Sequence, residues 1–576
     1  MMNGEYLNIT NDAMVRGVAM ENHENLPVIL TEESVETIAK AFCVWLISHT
    51  GKVKVSVAVG FDCRLSSPAL CEAAVKGITS TGHDAVVTDL SSTPSMLALL
   101  QDDTWKETYP CEGALMIGID AASATYYNGL QFFYIGGKLS TEQVASILQI
   151  ANTYRYAEPN EPGKRIEVSY MDRYAETLVS LIRSGTGEDT PLQNKKIVVN
   201  AGNGVGGFFV NKVLIPLGAN TNGSQFLEPD GNFPNHLPCL KNATALTAIS
   251  DAVKSVNADM GILFNGCASR ACAIDQDGNP IKDNRLIALL SVIYLSDKAS
   301  TFVTDSITSN GLTKFIKVRG GIHHRYMCGS KNITEEAIRL NRLGEYVPLA
   351  IETNGYVGLL ENDFREDGAY LMARILIALV NASKADITLT DLIADLEIPK
   401  EELSVELPFV DSDGLSMVSG KVLHDFYNYA TRTPYITLEE ENYEGYRVNY
   451  DEGHGNGWAL LRTSQDGTML SINVESDSEH GAIKIAKDLY YFLRKCPFVD
   501  TSLLKKSIDE ERARLVANIR KDFYRDASYL TFLFGEKVIV QGDECPQAEE
   551  TEQSVTAPSP ATSEEMNSTA VAEDNV

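Results

Sequence analysis

Residues 258–281 read ADMGILFNGCASRACAIDQDGNPI. An apolar run leads into a tight loop with Asn265, Cys267 and Ser269 at alternate positions and Arg270 next to them. A second apolar run and a DQDGN turn follow. Such a strand–loop–strand frame is a common support for a cation, and a hard cation needs oxygen ligands, mostly carboxylates. This loop offers an amide, a thiol and a hydroxyl, all neutral at physiological pH. One Cys with Asn and Ser makes no zinc site either.

Other stretches could also do chemistry. IETNGYVGLLENDFREDG (351–368) carries Glu352 where an apolar run stops, and a carboxylate at a strand end can bind sugar hydroxyls. LLRTSQDGT (460–468) places Arg462 and Ser464 beside a glycine turn; a guanidinium fork with small donors suits a phosphate. GNGVGG (202–207) fits a dinucleotide fingerprint, which wants an acid about 20 residues on. Asn222 stands there, so a glycine turn packing helix on strand is the better account. His323, His324 and Cys328 lie in GIHHRYMCG. Adjacent residues of an extended segment face opposite ways, which argues against a shared metal.

These loops need elements to position them. With 576 residues the chain is too long for one core, and several domains are expected. VKVSVAV (53–59) reads as a buried strand, residues 68–82 as a helix, and HDAVVTDL as the next strand. That βαβ rhythm predicts a mostly parallel sheet. It recurs at KKIVVN with FFVNKVLIPLG as helix, and at 301–316, where TFVTD precedes SITSNGLTKFI. Residues from about 411 to 536 instead alternate apolar and polar with turn signals, then end in helical AIKIAKDLYYFLRKC. That predicts an antiparallel α+β unit. Residues 541–576 hold nine acidic side chains, no Lys or Arg and few bulky apolar groups; they read as a disordered acidic tail. The net charge of −29 argues against nucleic-acid and anionic-membrane partners. The sequence has neither a membrane-spanning apolar run nor a leader pattern in MMNGEYLNITNDAMVRG, so a cytoplasmic location is expected. The ten scattered cysteines read as reduced thiols.

In order and spacing these segments resemble the α-D-phosphohexomutases, the family of phosphoglucomutases and phosphomannomutases. The likeness rests on RGVA (16–19), VAVGFDCRLSSP, VVNAGNGVGGFFV, FVTDSITSNGLTKFI, LAIETNG and ENDFREDGAYLMARIL. It extends to about residue 495 and is nearest to the branch found in plants, algae and some bacteria. The resemblance implies three similar mixed-sheet α/β domains and a smaller α+β C-terminal domain around a cleft. The expected limits are 1–190, 191–297, 298–410 and 411–540, with 541–576 as the tail. It also implies phosphate transfer between C1 and C6 of a hexose, with a phosphoserine, a Mg²⁺ held by three aspartates and a phosphate loop in the fourth domain.

Carried over position by position, the chemistry is incomplete. The nucleophile position is Ala121 and its neighbouring His is Ala122, with Ser123 two residues on. A family lysine is Gln131, and a first-loop arginine is Phe61. The metal positions are Asn265, Cys267 and Ser269; in the sugar loop Ser becomes Asn354 and His becomes Tyr356. Arg16, Arg64, Arg270, Glu352, Arg462 and Ser464 persist, and with Asn354 they form the expected substrate-binding set. The reading is a phosphohexomutase-like pseudoenzyme that needs no cofactor and binds hexose phosphates or a protein partner of undefined kind. The alternative is an active mutase with an atypical site, using Mg²⁺ and Ser123 or Asp120 as acceptor.

Overall fold

SVAVGF is apolar without alternation, as suits a strand covered on both faces. In the computed structural model it forms strand Ser56–Phe61, parallel to both Asp84–Leu90 and Gly113–Ile117. Helix Ser67–Ser80 joins the first two, with a proline in its first turn, where no backbone donor is needed. The structure describes residues 8–9, 13–119, 124–156, 159–296, 298–410 and 415–521. The expected acceptor positions Asp120, Ala121 and Ser123, their neighbour Ala122, and the expected tail 541–576 lie outside the described residues. The architecture below is that of the compact unit ending at Glu511.

The first sheet is mixed rather than mostly parallel. Tyr127–Tyr134 enters antiparallel to Gly113–Ile117 and pairs on its other edge with antiparallel Met14–Val18. A parallel return needs a crossover of a dozen or more residues, and the stretch 118–126 is too short for one. The second sheet runs Pro280–Ile281, Ala271–Ile274, Met260–Phe264, Ile197–Asn200. The third runs Ile322–Tyr326, Thr301–Asp305, Leu349–Ile351, Val357–Leu359. Each begins with parallel pairing and finishes with an antiparallel hairpin. The fourth sheet has five strands, all antiparallel: Glu401–Pro408, Met469–Ser476, Gly457–Thr463, Tyr446–Tyr450 and Ile436–Leu438. Three α/β/α domains and a C-terminal domain with its own antiparallel sheet are therefore the fold, as expected.

FFVNKVLIPLG does not form the regular α-helix its pattern predicts. A π turn, Val210–Leu214, gives way to a 3₁₀ turn, Ile215–Leu217. Pro216 lacks an N–H and its ring crowds the carbonyl four residues back, so the regular ladder cannot continue. The preceding glycines are packing devices. A Cβ at Gly207 would lie 2.0 Å from the Leu227 carbonyl oxygen, and one at Gly204 2.6 Å from that of Gly266. The continuous core spans the first three sheets, with Leu178, Phe209, Phe264 and Leu376 among its members. Helix Gly368–Ser383 is apolar on nearly every face and packs on helix Met171–Thr186. Asp367 caps it through the Tyr370 N–H at 2.9 Å and accepts the Tyr174 hydroxyl at 2.6 Å. No helix among the described residues is long and apolar enough to cross a membrane.

Candidate functional site

Phe264 and Ala271 face each other across an antiparallel pair, so residues 265–270 form the loop between them. Ala268 takes the left-handed conformation, φ 57°, that turns this loop sharply. The main chain is tied to three domains. The Thr93 N–H donates to the Cys267 carbonyl at 3.3 Å, that of Val205 to Gly266 at 2.9 Å, and that of Gly368 to Ala268 at 3.2 Å.

The side chains satisfy one another. Asn265 Nδ2 donates to Ser269 Oγ at 3.0 Å and to Cys267 Sγ at 3.5 Å, and Cys267 Sγ donates to Ser269 Oγ at 3.3 Å. Asn265 Oδ1 accepts the Arg270 N–H at 3.0 Å. All three are buried, at 4%, 0% and 2% exposure. Mg²⁺ demands near-octahedral oxygen ligation, usually with carboxylates. A donating amide, a soft thiol and a hydroxyl bound to each other do not fit it. Among the described residues no group of three or more His, Cys, Asp or Glu could hold a metal. The Arg270 guanidinium makes an ion pair with Glu366.

In the third domain Glu352 follows directly on strand Leu349–Ile351. Its carboxylate accepts the Gly329 N–H at 2.5 Å and Asn354 Nδ2 at 3.0 Å. Burial pushes the Glu352 carboxyl up, while those two donors and the nearby Arg270 pull it back. Beneath the loop Asp305 accepts both the N–H and the hydroxyl of Thr353, at 2.9 and 2.7 Å. Asp305 is 2% exposed, and burial pushes its carboxyl up to about 7. Tyr356 is a packing residue: its hydroxyl donates to the Phe364 carbonyl at 3.0 Å and meets that of Thr334 at 2.7 Å.

The fourth domain supplies Arg462 near the end of strand Gly457–Thr463 and Ser464 just beyond it. The Ser464 hydroxyl donates to Asp466 at 2.6 Å, and Thr468 gives Asp466 its N–H and hydroxyl at 3.0 and 2.8 Å. Those donors hold the Asp466 carboxyl at about 2. Arg462 Nε is buried without a hydrogen-bond acceptor and lies 3.9 Å from a Glu444 oxygen.

A cavity of about 540 Å³ brings several of these groups together. Arg270, Glu352, Asn354 and Ser464 line it, as do Lys331 and Glu444. Arg16, Arg64 and Arg462 are not among its lining residues; Arg462 stands next to the lining residue Thr463. The Arg16 guanidinium sits over the Tyr127 ring at 4.7 Å. Arg64, 3% exposed, donates to the Ala124 and Tyr127 carbonyls at 3.2 Å each and faces Asp62 at 3.6 Å. His323 lies among the Thr304, Thr308 and Thr313 hydroxyls, and burial holds it well below the usual imidazole range. His324 turns to Glu336 instead, at 3.0 Å. Glu444, Asp305 and Gly329 were not singled out by the sequence; only the Glu-Gly of a hairpin turn marks the first.

Models of phosphoglucomutase/phosphomannomutase alpha/beta/alpha domains I, II and III match residues 9–158, 172–278 and 282–397. A phosphoglucomutase of Neisseria gonorrhoeae is 27% identical over 425 residues, 73% of this chain and 85% of that protein. A phosphomannomutase/phosphoglucomutase of Pseudomonas putida is 27% identical over 439 residues, covering 75% and 86%. Among solved structures, a phosphoglucomutase/phosphomannomutase family protein of Burkholderia thailandensis shares the fold, with a TM-score of 0.66 at 22% identity, covering 85% of this chain and 98% of that one.

Proposed function

This chain belongs to the phosphoglucomutase/phosphomannomutase family, and we propose that it is a catalytically deficient member that holds hexose phosphates in its cleft. The observation that carries this reading is the neutral, self-bonded set Asn265, Cys267 and Ser269. Phosphoryl transfer depends on positioning and on stabilising charge at the moving phosphate. A loop without carboxylates supplies no magnesium for that task, and the sequence has Ala121 where the family resemblance places the nucleophile. What survives is recognition chemistry. Glu352 and Asn354 can meet sugar hydroxyls, and Arg270, Arg462 and Ser464 can meet phosphate oxygens. Arg16 and Arg64 belong to the first-domain framework in this reading.

The domain limits given above, the plant, algal and bacterial branch and a cytoplasmic location are parts of the same proposal. A second reading, a working mutase that uses Mg²⁺ with Ser123 or Asp120 as acceptor, is favoured by one observation. The relatives that match most of the chain are named as mutases.

The two separate in one assay. Purified protein is given glucose 1-phosphate, glucose 1,6-bisphosphate and Mg²⁺. The deficient member gives no rate above background and gains no phosphate in intact mass. A Mg²⁺-dependent rate that survives repurification overturns the proposal, and phosphate on Ser123 identifies the acceptor.

A further inference from the structure

We propose, resting on the reading that this cleft takes hexose phosphates, that Glu444 is a resident counter-anion that competes with ligand phosphate for Arg462. Glu444 comes from the fourth domain, but its Oε1 is held by the third: it accepts the Ser306 hydroxyl and the Cys328 N–H, the latter at 2.8 Å. From there it faces Arg462 Nε at 3.9 Å, with both side chains nearly buried. That distance gives charge compensation without a hydrogen bond. The Arg462 Nε–H therefore keeps an empty donor position while its charge is already neutralised.

The placement of Glu444 is built into the backbone. Gly445 has φ +60°, and a Cβ there would lie 1.9 Å from the Leu461 carbonyl oxygen, so the turn that delivers Glu444 depends on glycine. The rest of the wall carries the same bias. Glu352, Lys331 and Arg270 line the same cavity, and Arg270 is paired with Glu366. The Ser464 hydroxyl is turned to Asp466. A phosphate entering this cavity meets Glu352 and Glu444 beside Arg270 and Lys331 in its wall, and reaches Arg462, next to the lining residue Thr463, only in competition with Glu444. An uncharged sugar meets no such obstacle. Glu444 thus sets how strongly the cleft discriminates between a sugar and its phosphate.

Glu444→Gln keeps an amide oxygen that can accept from Ser306 and Cys328, and removes the charge. Full-length wild type and E444Q are titrated by calorimetry with glucose 1-phosphate, inorganic phosphate and glucose, with melting temperature as a control. The expected result is phosphate and glucose 1-phosphate binding about tenfold tighter in E444Q, with glucose unchanged. Glu444→Ala serves as the second charge-removing variant if E444Q folds poorly, with the same direction expected. Binding seen only in the variants also supports the proposal and makes the wild-type cleft self-blocked. Equal or weaker phosphate binding in folded variants, with wild type still binding glucose 1-phosphate, overturns the counter-anion and leaves the hexose-phosphate reading standing. No binding by wild type or variants overturns both.

Discussion

Restoring carboxylates at residues 265, 267 and 269 tests the loop on which the deficient reading rests. Consider the triple variant Asn265→Asp, Cys267→Asp, Ser269→Asp. The Arg270 N–H keeps an acceptor at position 265, but the three side-chain bonds among Asn265, Cys267 and Ser269 are lost. Each such neutral bond is worth about 1 kcal/mol net. Three carboxylates would replace groups that are at most 4% exposed, and burying them close together costs several kcal/mol more. The metal-free variant should therefore be less stable than wild type by roughly 6 kcal/mol or more. Magnesium should reverse part of that loss. A ligand that binds only the native state stabilises it by about 2.7 kcal/mol at a hundredfold excess over its dissociation constant. For a domain of this size that is a melting shift of several degrees, read by calorimetry across a millimolar Mg²⁺ series. Wild type should show none. If wild type shifts as much as the variant, the assignment of this loop is wrong. If the variant folds and ignores Mg²⁺, its backbone no longer presents a magnesium geometry.

Two further outcomes follow from particular contacts. Asp305 holds its proton up to about pH 7 when folded, whereas an exposed aspartate releases it near pH 4. Across that window the folded chain binds the extra proton, so this group's contribution to stability falls as pH rises and its penalty is complete above about pH 7. Asp305→Asn, which can still accept from Thr353, should flatten the pH–stability profile between these limits and raise stability at pH 8; an unchanged slope in urea melts would refute this. Gly207→Ala should cost about 1–3 kcal/mol, because its Cβ would meet the Leu227 carbonyl oxygen at 2.0 Å. A neutral result would mean that this turn is not tightly packed.

The strands and the long helices were legible because burial writes itself into composition. Ser56–Phe61, Ile197–Asn200 and Thr301–Asp305 are apolar runs of the sequence. Antiparallel Tyr127–Tyr134 was not legible: strand direction depends on the length of the connection, and apolar character carries no sign. In SITSNGLTKFI the helix starts at Asn310, capped by the Ser309 side chain, and the turn before it meets the fourth domain through Ser306. Local pattern marked Glu352, Arg462 and Ser464, and the resemblance added Arg270 and Asn354 as binding residues. Their partners come from distant parts of the chain, as when Gly329 donates to Glu352 or Glu444 reaches Cys328. No sequence periodicity encodes such meetings.

The loop at 265–270 is fastened by its main chain to Thr93, Val205 and Gly368, while the Asn265, Cys267 and Ser269 side chains bond to one another and Asn265 also takes the Arg270 N–H. Architecture and coordination are thus separable here, and the separation has a direction. Each single return to aspartate would break part of the neutral set and bury a lone charge, yet one carboxylate holds magnesium poorly. Only the complete triad would recover the ion, so every partial step lies lower in fitness for folding than the start. On the deficient reading the loop would work as an evolutionary ratchet: the scaffold persists, and the route to a metal site is closed to single mutations.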